Sequence, residues 1–144
     1  MPGRPAGVNP KLWGRAAWSL LYMSAVKDPS GILTASLMKL YASLLPCASC
    51  RRFTRQYVRA YGIGHQNPFD AVYLLHKTVA CKIDACIPPK RDLLERYCKF
   101  GPDVSNAAVS LFLSFVKQNA HARNKTRQYS ELKNRVAPLC KSYL

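Results

Sequence analysis

Leu45-Pro46-Cys47-Ala48-Ser49-Cys50-Arg51-Arg52 is a C-x-x-C pair entered through a proline and followed by a basic run with helical periodicity. Proline is tolerated in the first helical turn, where its missing N–H would be unpaired anyway, so Pro46 predicts the start of a helix running through Phe53, Tyr57 and Tyr61. Cys47 and Cys50 then fall in the first turn. There the unpaired N–H groups and the positive end of the helix dipole stabilise a thiolate, and Arg51 and Arg52 add positive charge. A lowered thiol pKa and a reactive pair are the expected result. A spacing of three also lets two sulfurs share a face and close a small disulfide ring.

Working outward, helical periodicity appears on both sides of this pair. Upstream, Trp13, Ala16, Ala17, Leu20, Leu21 and Ser24 recur at steps of three and four, predicting an amphipathic helix from Lys11 to about Val26. The turn cluster Lys27-Asp28-Pro29-Ser30-Gly31 ends it, with Ser30 as N-cap of a second helix whose stripe is Leu33, Leu37, Leu40, Tyr41 and Leu44. The helix opened by Pro46 should close at Gly62 and Gly64. A fourth helix from about Pro68 carries Phe69, Val72, His76, Val79 and Ile83, which turns His76 inward. After Cys86-Ile87-Pro88-Pro89 comes a short helix with Leu93, Leu94 and Tyr97. Asp103 is a candidate cap for a sixth helix with Val104, Ala107, Ala108, Leu111, Phe112 and Phe115 facing in. The polar, basic stretch Gln118 to Arg127 precedes a weak last helix with Tyr129, Leu132, Val136 and Leu139. No strand shows convincing alternation, so the expected class is all-α, a bundle with short connections between its first four helices.

The totals agree. At 144 residues and 49% hydrophobic, the chain is long enough for one domain with a real core. No apolar run approaches a membrane-spanning length, and the Pro/Gly-rich start resembles neither a secretory signal nor a transit helix. The expectation is residence inside a cell, where six cysteines are many and favour redox or metal chemistry. The formal net charge is +15, with the excess at the two ends. That charge is either a solvated basic face or a surface for nucleic acid or an acidic partner, and no recognition motif chooses between them.

A C-x-x-C serves several chemistries. A thioredoxin-like site needs a strand before the motif, whereas helices flank this one. Zinc would need Cys47 and Cys50 to be joined by two of Cys81, Cys86 and Cys98, with His76 as a spare nitrogen, but the second half has no compact knuckle and no metal is expected. The remaining use is a redox disulfide in a helical bundle, which needs an electron acceptor.

At this point three stretches carry a family resemblance. Trp13-Gly14-Arg15-Ala16-Ala17-Trp18-Ser19-Leu20-Leu21-Tyr22 resembles the W-G-x-x-x-W-x-x-L-H helix of the Erv/ALR sulfhydryl oxidases. Leu45-Pro46-Cys47-Ala48-Ser49-Cys50 resembles their Y-P-C-x-x-C, and His76-Lys77-Thr78-Val79-Ala80-Cys81-Lys82-Ile83 their H-N-x-V-N-x-x-L. Order and spacing agree from about Lys11 to Cys98. Tyr22 stands where the family has His, Lys77 and Ala80 where it has Asn, and Leu45 where it has Tyr.

The resemblance implies a four-helix bundle plus a short fifth helix that binds FAD, forms a homodimer, oxidises protein dithiols and passes the electrons to oxygen as hydrogen peroxide. Compact members occur in large DNA viruses, which would place this chain in infected-cell cytoplasm or nucleus and in the virion. Carried over, Cys50 is the flavin-proximal thiol and Cys47 the interchange thiol. Gly14 lets the flavin lie close, Trp18 and Tyr97 pack on its rings, and His76 and Lys82 meet its polar parts. Lys11, Arg15, Tyr22 and Val79 complete the cofactor set. The plain alternatives are core aromatics at Trp13 and Trp18, a satisfied buried His76 and a surface Lys82. Cys86 and Cys98 flank the fifth helix and are a candidate structural disulfide, a clasp that would contribute on the order of 3 kcal/mol. Cys140 is isolated in the basic tail, as a free thiol, a shuttle or an intersubunit link. With no second C-x-x-C, electrons would arrive from a protein dithiol or a separate thioredoxin-like shuttle. The organisation read from this is a basic segment 1–10, an oxidase-like bundle 11–101 and a basic helical extension 102–144. The competing reading is a noncatalytic dimeric helical module holding an acidic protein or nucleic acid.

Overall fold

A computed structural model describes residues 7–61 and 67–140. The glycine cap expected at Gly62 and Gly64, most of segment 1–10 and the side chain of Cys140 lie outside the described residues. The described chain is all-α, as expected. A 3-10 turn, Pro10–Leu12, leads into α1 (Gly14–Lys27), α2 (Ile32–Leu44), α3 (Ala48–Tyr61), α4 (Pro68–Lys82), α5 (Lys90–Phe100), α6 (Asn106–Ala122) and α7 (Thr126–Cys140). Among the described residues no helix is long and apolar enough to cross a membrane.

The bundle is organised around α1. Its sequence suggests one apolar stripe, yet Ser19 through Ala25 are buried without a break. A helix covered on all sides is a central helix, and α1 packs against α2, α4, α5, α6 and α7. Its buried serines are consistent with this position: the Ser24 hydroxyl lies 2.6 Å from the Leu21 carbonyl, to which it donates, and 2.8 Å from the Thr34 hydroxyl of α2.

The turn between α1 and α2 departs from the expected cap. Asp28 does the capping work: its carboxylate accepts from the backbone N–H groups of Ser30 and Leu33, at 3.1 and 3.0 Å. Gly31, with φ of +84°, provides the left-handed step that begins α2. Asn67 caps α4 by accepting from the N–H groups of Phe69 and Asp70, with Pro68 at the first helical position. On α4 the inward face holds Phe69, Val72 and Leu75, whereas Ile83, expected inside, is 71% exposed because the helix ends at Lys82.

The sixth helix also has a different register. Ser105, whose hydroxyl accepts from the Ala108 N–H, is its cap, and Val109, Phe112, Val116 and Ala120 are its buried face. Leu111 turns out to solvent. Asp103 is thereby released for another role, accepting from the Tyr97 hydroxyl at 3.0 Å and facing Arg15 and Arg96 at 3.8 and 3.6 Å. The last helix is not peripheral: Leu132, Val136 and Leu139 are at most 1% exposed and join the one core cluster formed with α1 and α2.

Candidate active site

The C-x-x-C sits at the tight α2–α3 corner. Leu45 and Pro46 are buried, and α3 begins at Ala48, so Cys47 is the capping residue just outside the helix rather than a member of its first turn. The consequence is chemical. Cys47 Sγ accepts from the Cys50 backbone N–H at 3.3 Å and lies 3.2 Å from the Ser49 hydroxyl, while its carbonyl accepts from the Arg51 N–H at 3.0 Å. A sulfur that accepts a first-turn N–H at the positive end of a helix is stabilised as a thiolate once the bond to Cys50 opens. The two cysteines are joined as a disulfide, with Cα atoms 5.2 Å apart, inside the range such a bridge requires.

Both cysteines line a cleft of about 400 Å³, within the range of small-molecule sites. Its walls are mostly apolar: Trp13, Gly14, Ala17 and Trp18 from the start of α1, Phe53 and Thr54 from α3, and Leu75 and Val79 from α4. Lys82 brings the cation at its edge, its Nζ 4.0 Å from the centre of the Phe53 ring. A Cβ added at Gly14 would meet nothing within 4 Å, so the cleft is open over the first turn of α1. An apolar cleft lined by two indoles and the disulfide, with one ammonium group among its lining residues, fits an aromatic, anionic cofactor.

Of the residues expected to contact a cofactor, Gly14, Trp18, Val79 and Lys82 line the cleft together with Cys47 and Cys50; Lys11, Arg15, Tyr22, His76 and Tyr97 do not. Lys11 is exposed within the 3-10 turn, and Arg15 faces Asp103. The other three form a packed column behind the slot. His76 stacks on Trp18 at 4.2 Å and 20°, and Tyr22, 1% exposed, stacks on Tyr97 at 5.0 Å and 22°. Burial drives the His76 pKa down from 6.5 to about 4, with the Asp103 carboxylate pulling the other way. The Tyr22 phenol is held well above its ordinary pKa, first by burial and then by Tyr97 and Tyr73. Both rings are therefore neutral near pH 7.

Trp13, Ala17, Phe53 and Thr54 also line the cleft, although none of them was in the expected cofactor set. Trp13 is also core: 4% exposed, it stacks on Phe112 and donates its indole N–H to the Val8 carbonyl at 3.1 Å. The signal for the other three lay in helical spacing, with Ala17 one turn from Gly14 and Phe53 and Thr54 one turn from Cys50.

The expected Cys86–Cys98 clasp is not formed. Both are free and exposed, as is Cys81. Leu93 and Tyr97 take the buried face of α5, which turns Cys98 outward, and Cys86 belongs to the exposed segment before that helix. Among the described residues no three His, Cys, Asp or Glu side chains gather as a metal site.

No family model and no solved structure matches. The chain is 35% identical over 71 residues to the probable FAD-linked sulfhydryl oxidase of Variola virus, covering 46% of this chain and 73% of the relative. The proteins of the same name from Monkeypox virus and Vaccinia virus (strain Copenhagen) are 42% identical over 50 residues, 31% of this chain and 50% of each relative. With a helix-capping disulfide opening onto an apolar slot, and viral relatives of this length and likeness, the chain belongs to the FAD-linked sulfhydryl oxidase family, as a divergent viral-type member.

Proposed function

We propose that this protein oxidises dithiols in protein substrates at Cys47–Cys50, with FAD in the adjoining cleft and oxygen as final acceptor. The observation that carries this reading is the disulfide in the cleft wall, with Cys47 Sγ receiving the Cys50 N–H. A substrate thiolate attacks Cys47 Sγ, forming a mixed disulfide and breaking the Cys47–Cys50 bond, so that Cys50 leaves as a thiolate. The second substrate thiolate then attacks its neighbour's sulfur, closing the substrate disulfide and releasing Cys47 as a thiolate. The Cys50 N–H and Ser49 hydroxyl stabilise that charge and make Cys47 the better leaving group. Two electrons now rest on the enzyme's cysteines. When bound, FAD supplies the acceptor for this pair and a route to oxygen that yields hydrogen peroxide.

Gly14, Trp18, Val79 and Lys82 would hold the ring system beside Cys50, and Lys82 would offset negative charge. Lys11, Arg15, Tyr22, His76 and Tyr97 act around or behind it, the last three fixing Trp18 through the aromatic column. Residues 11–101 are taken as the oxidase bundle, with 102–144 as an extension that completes its core. The working unit is a homodimer fed by a protein dithiol or a thioredoxin-like shuttle.

The purified protein should be yellow, absorbing at about 450 nm, and should consume oxygen and produce peroxide with dithiothreitol. Cys50→Ser should abolish turnover while keeping the colour. A colourless protein that leaves dithiols untouched would overturn the reading.

A further inference from the structure

Residues 29–69 contain neither Asp nor Glu. This acid-free stretch includes α2, the Cys47 corner and α3, and the surface they make carries a single sign. An open groove of about 370 Å³ runs between the two helices, bordered by Lys39 of α2 and by Arg55, Val58 and Arg59 of α3. Near its Cys47 end three guanidinium groups converge on the carbonyls of the last turn of α2 and of Leu45, the residue that follows it. Arg55 donates to the Ala42 carbonyl at 3.2 Å, Arg123 to that of Ser43 at 2.8 Å and Arg51 to that of Leu45 at 2.6 Å.

These contacts satisfy the helix end and are favoured by its negative dipole, but they leave the charge itself uncompensated. Among the described residues, ion pairs join Asp103 to Arg15 and Arg96, Asp70 to Lys90, Glu95 to Lys99 and Glu131 to Arg135. None reaches Lys39, Arg51, Arg52, Arg55, Arg59 or Arg123. Burial lowers the Arg51 pKa, and repulsion from Arg123 and Arg55 adds to it.

The spacing ties this charge to the disulfide. Arg51, Arg55 and Arg59 follow Cys47 at four-residue intervals, about 6 Å of helix each. The arginine series therefore spans about 18 Å from Cys47, the length of about six residues of extended peptide. We propose that the Lys39–Arg55–Arg59 groove is the docking surface for an acidic segment of the substrate protein, lying within about six residues of the cysteine that meets Cys47. This rests on the oxidase reading above. Nucleic acid suits the groove less well, because single strands are bound by basic grooves with aromatic stacking platforms and none of the lining residues is aromatic.

The test is fluorescence anisotropy on the full chain with labelled peptides of about a dozen residues, Ser replacing Cys so that no oxidation intervenes. One peptide carries flanking glutamates, a second carries lysines in their place, and a single-stranded oligonucleotide of similar length is the third probe. At about 50 mM salt the acidic peptide should bind about tenfold more tightly than the lysine peptide, and the difference should collapse at about 500 mM. Lys39→Gln/Arg59→Gln, which removes no hydrogen bond among the described residues, should weaken the acidic peptide about tenfold. Lys117→Gln/Lys133→Gln, an equal charge loss on α6 and α7, should change it little. Equal binding of the two peptides, an undiminished double variant, or tighter binding of the oligonucleotide would overturn the proposal. Dithiothreitol turnover in the same preparations separates the two readings. Turnover without peptide discrimination removes the docking surface alone, whereas acidic-peptide binding without turnover keeps the surface and removes the oxidase.

Discussion

The Tyr22 hydroxyl lies 2.8 Å from Nδ1 of His76, joining α1 to α4 directly behind the indole of Trp18. A neutral imidazole with an unprotonated Nδ1 accepts the phenol proton, leaving the hydrogen on Nε2. Tyr22→Phe keeps the ring, its stacking on Tyr97 and its tilted contact with Phe69, but leaves Nδ1 without its donor. The expected cost is about 1–2 kcal/mol of stability, read as a lower urea midpoint at unchanged slope.

The same ring sets a pH dependence. His76 protonates near 6.5 in the unfolded chain but only at about 4 when folded. On acidification the unfolded state takes up the proton first. The ring's contribution is therefore fully present above pH about 6.5 and is lost as pH falls from there toward about 4. With allowance for partial exposure it amounts to on the order of 2 kcal/mol. Melting temperatures measured across this window should fall, and the fall should be shallower in His76→Gln, which cannot titrate.

Gly14 offers a way to fill the cleft without touching the cysteines. It opens α1 in ordinary helical conformation, and the space over it is empty to 4 Å. Gly14→Leu should leave helical content unchanged by circular dichroism. It should also remove most of the absorbance at about 450 nm and slow dithiothreitol oxidation at least tenfold. Full colour in this variant would exclude the slot as the cofactor's seat.

The last two helices should behave as core. Leu132 is fully buried, and Leu132→Ala should cost about 2–5 kcal/mol, measured by chemical denaturation. Truncation after Gly101 removes Phe112 from its contacts with Trp13 and Tyr41, and so strips one face of α1. The truncated chain should be aggregation-prone and lose cooperative unfolding, although the C-x-x-C and both flanking motifs remain.

The periodicity of apolar residues determined by itself that the chain is a set of helices, roughly where each begins and ends, and that Cys47 and Cys50 lie at a helix start. These are properties of local spacing, of proline and of caps, and they need no partner. Tertiary structure decided what spacing cannot encode. It made α1 a central helix by surrounding it, and it moved the cap of α6 from Asp103 to Ser105 because Tyr97, Arg15 and Arg96 engage that carboxylate. It drew Tyr22, His76 and Tyr97 into one column, left Cys86 and Cys98 apart, and turned Leu132, Val136 and Leu139 from a weak terminal pattern into core. Most consequentially, it gathered Arg51, Arg55 and Arg123, up to 72 residues apart, at one helix end beside the disulfide. The reason is that a helix fixes neighbours only within a turn or two, whereas a cleft or a charged groove exists only where separate helices pack together.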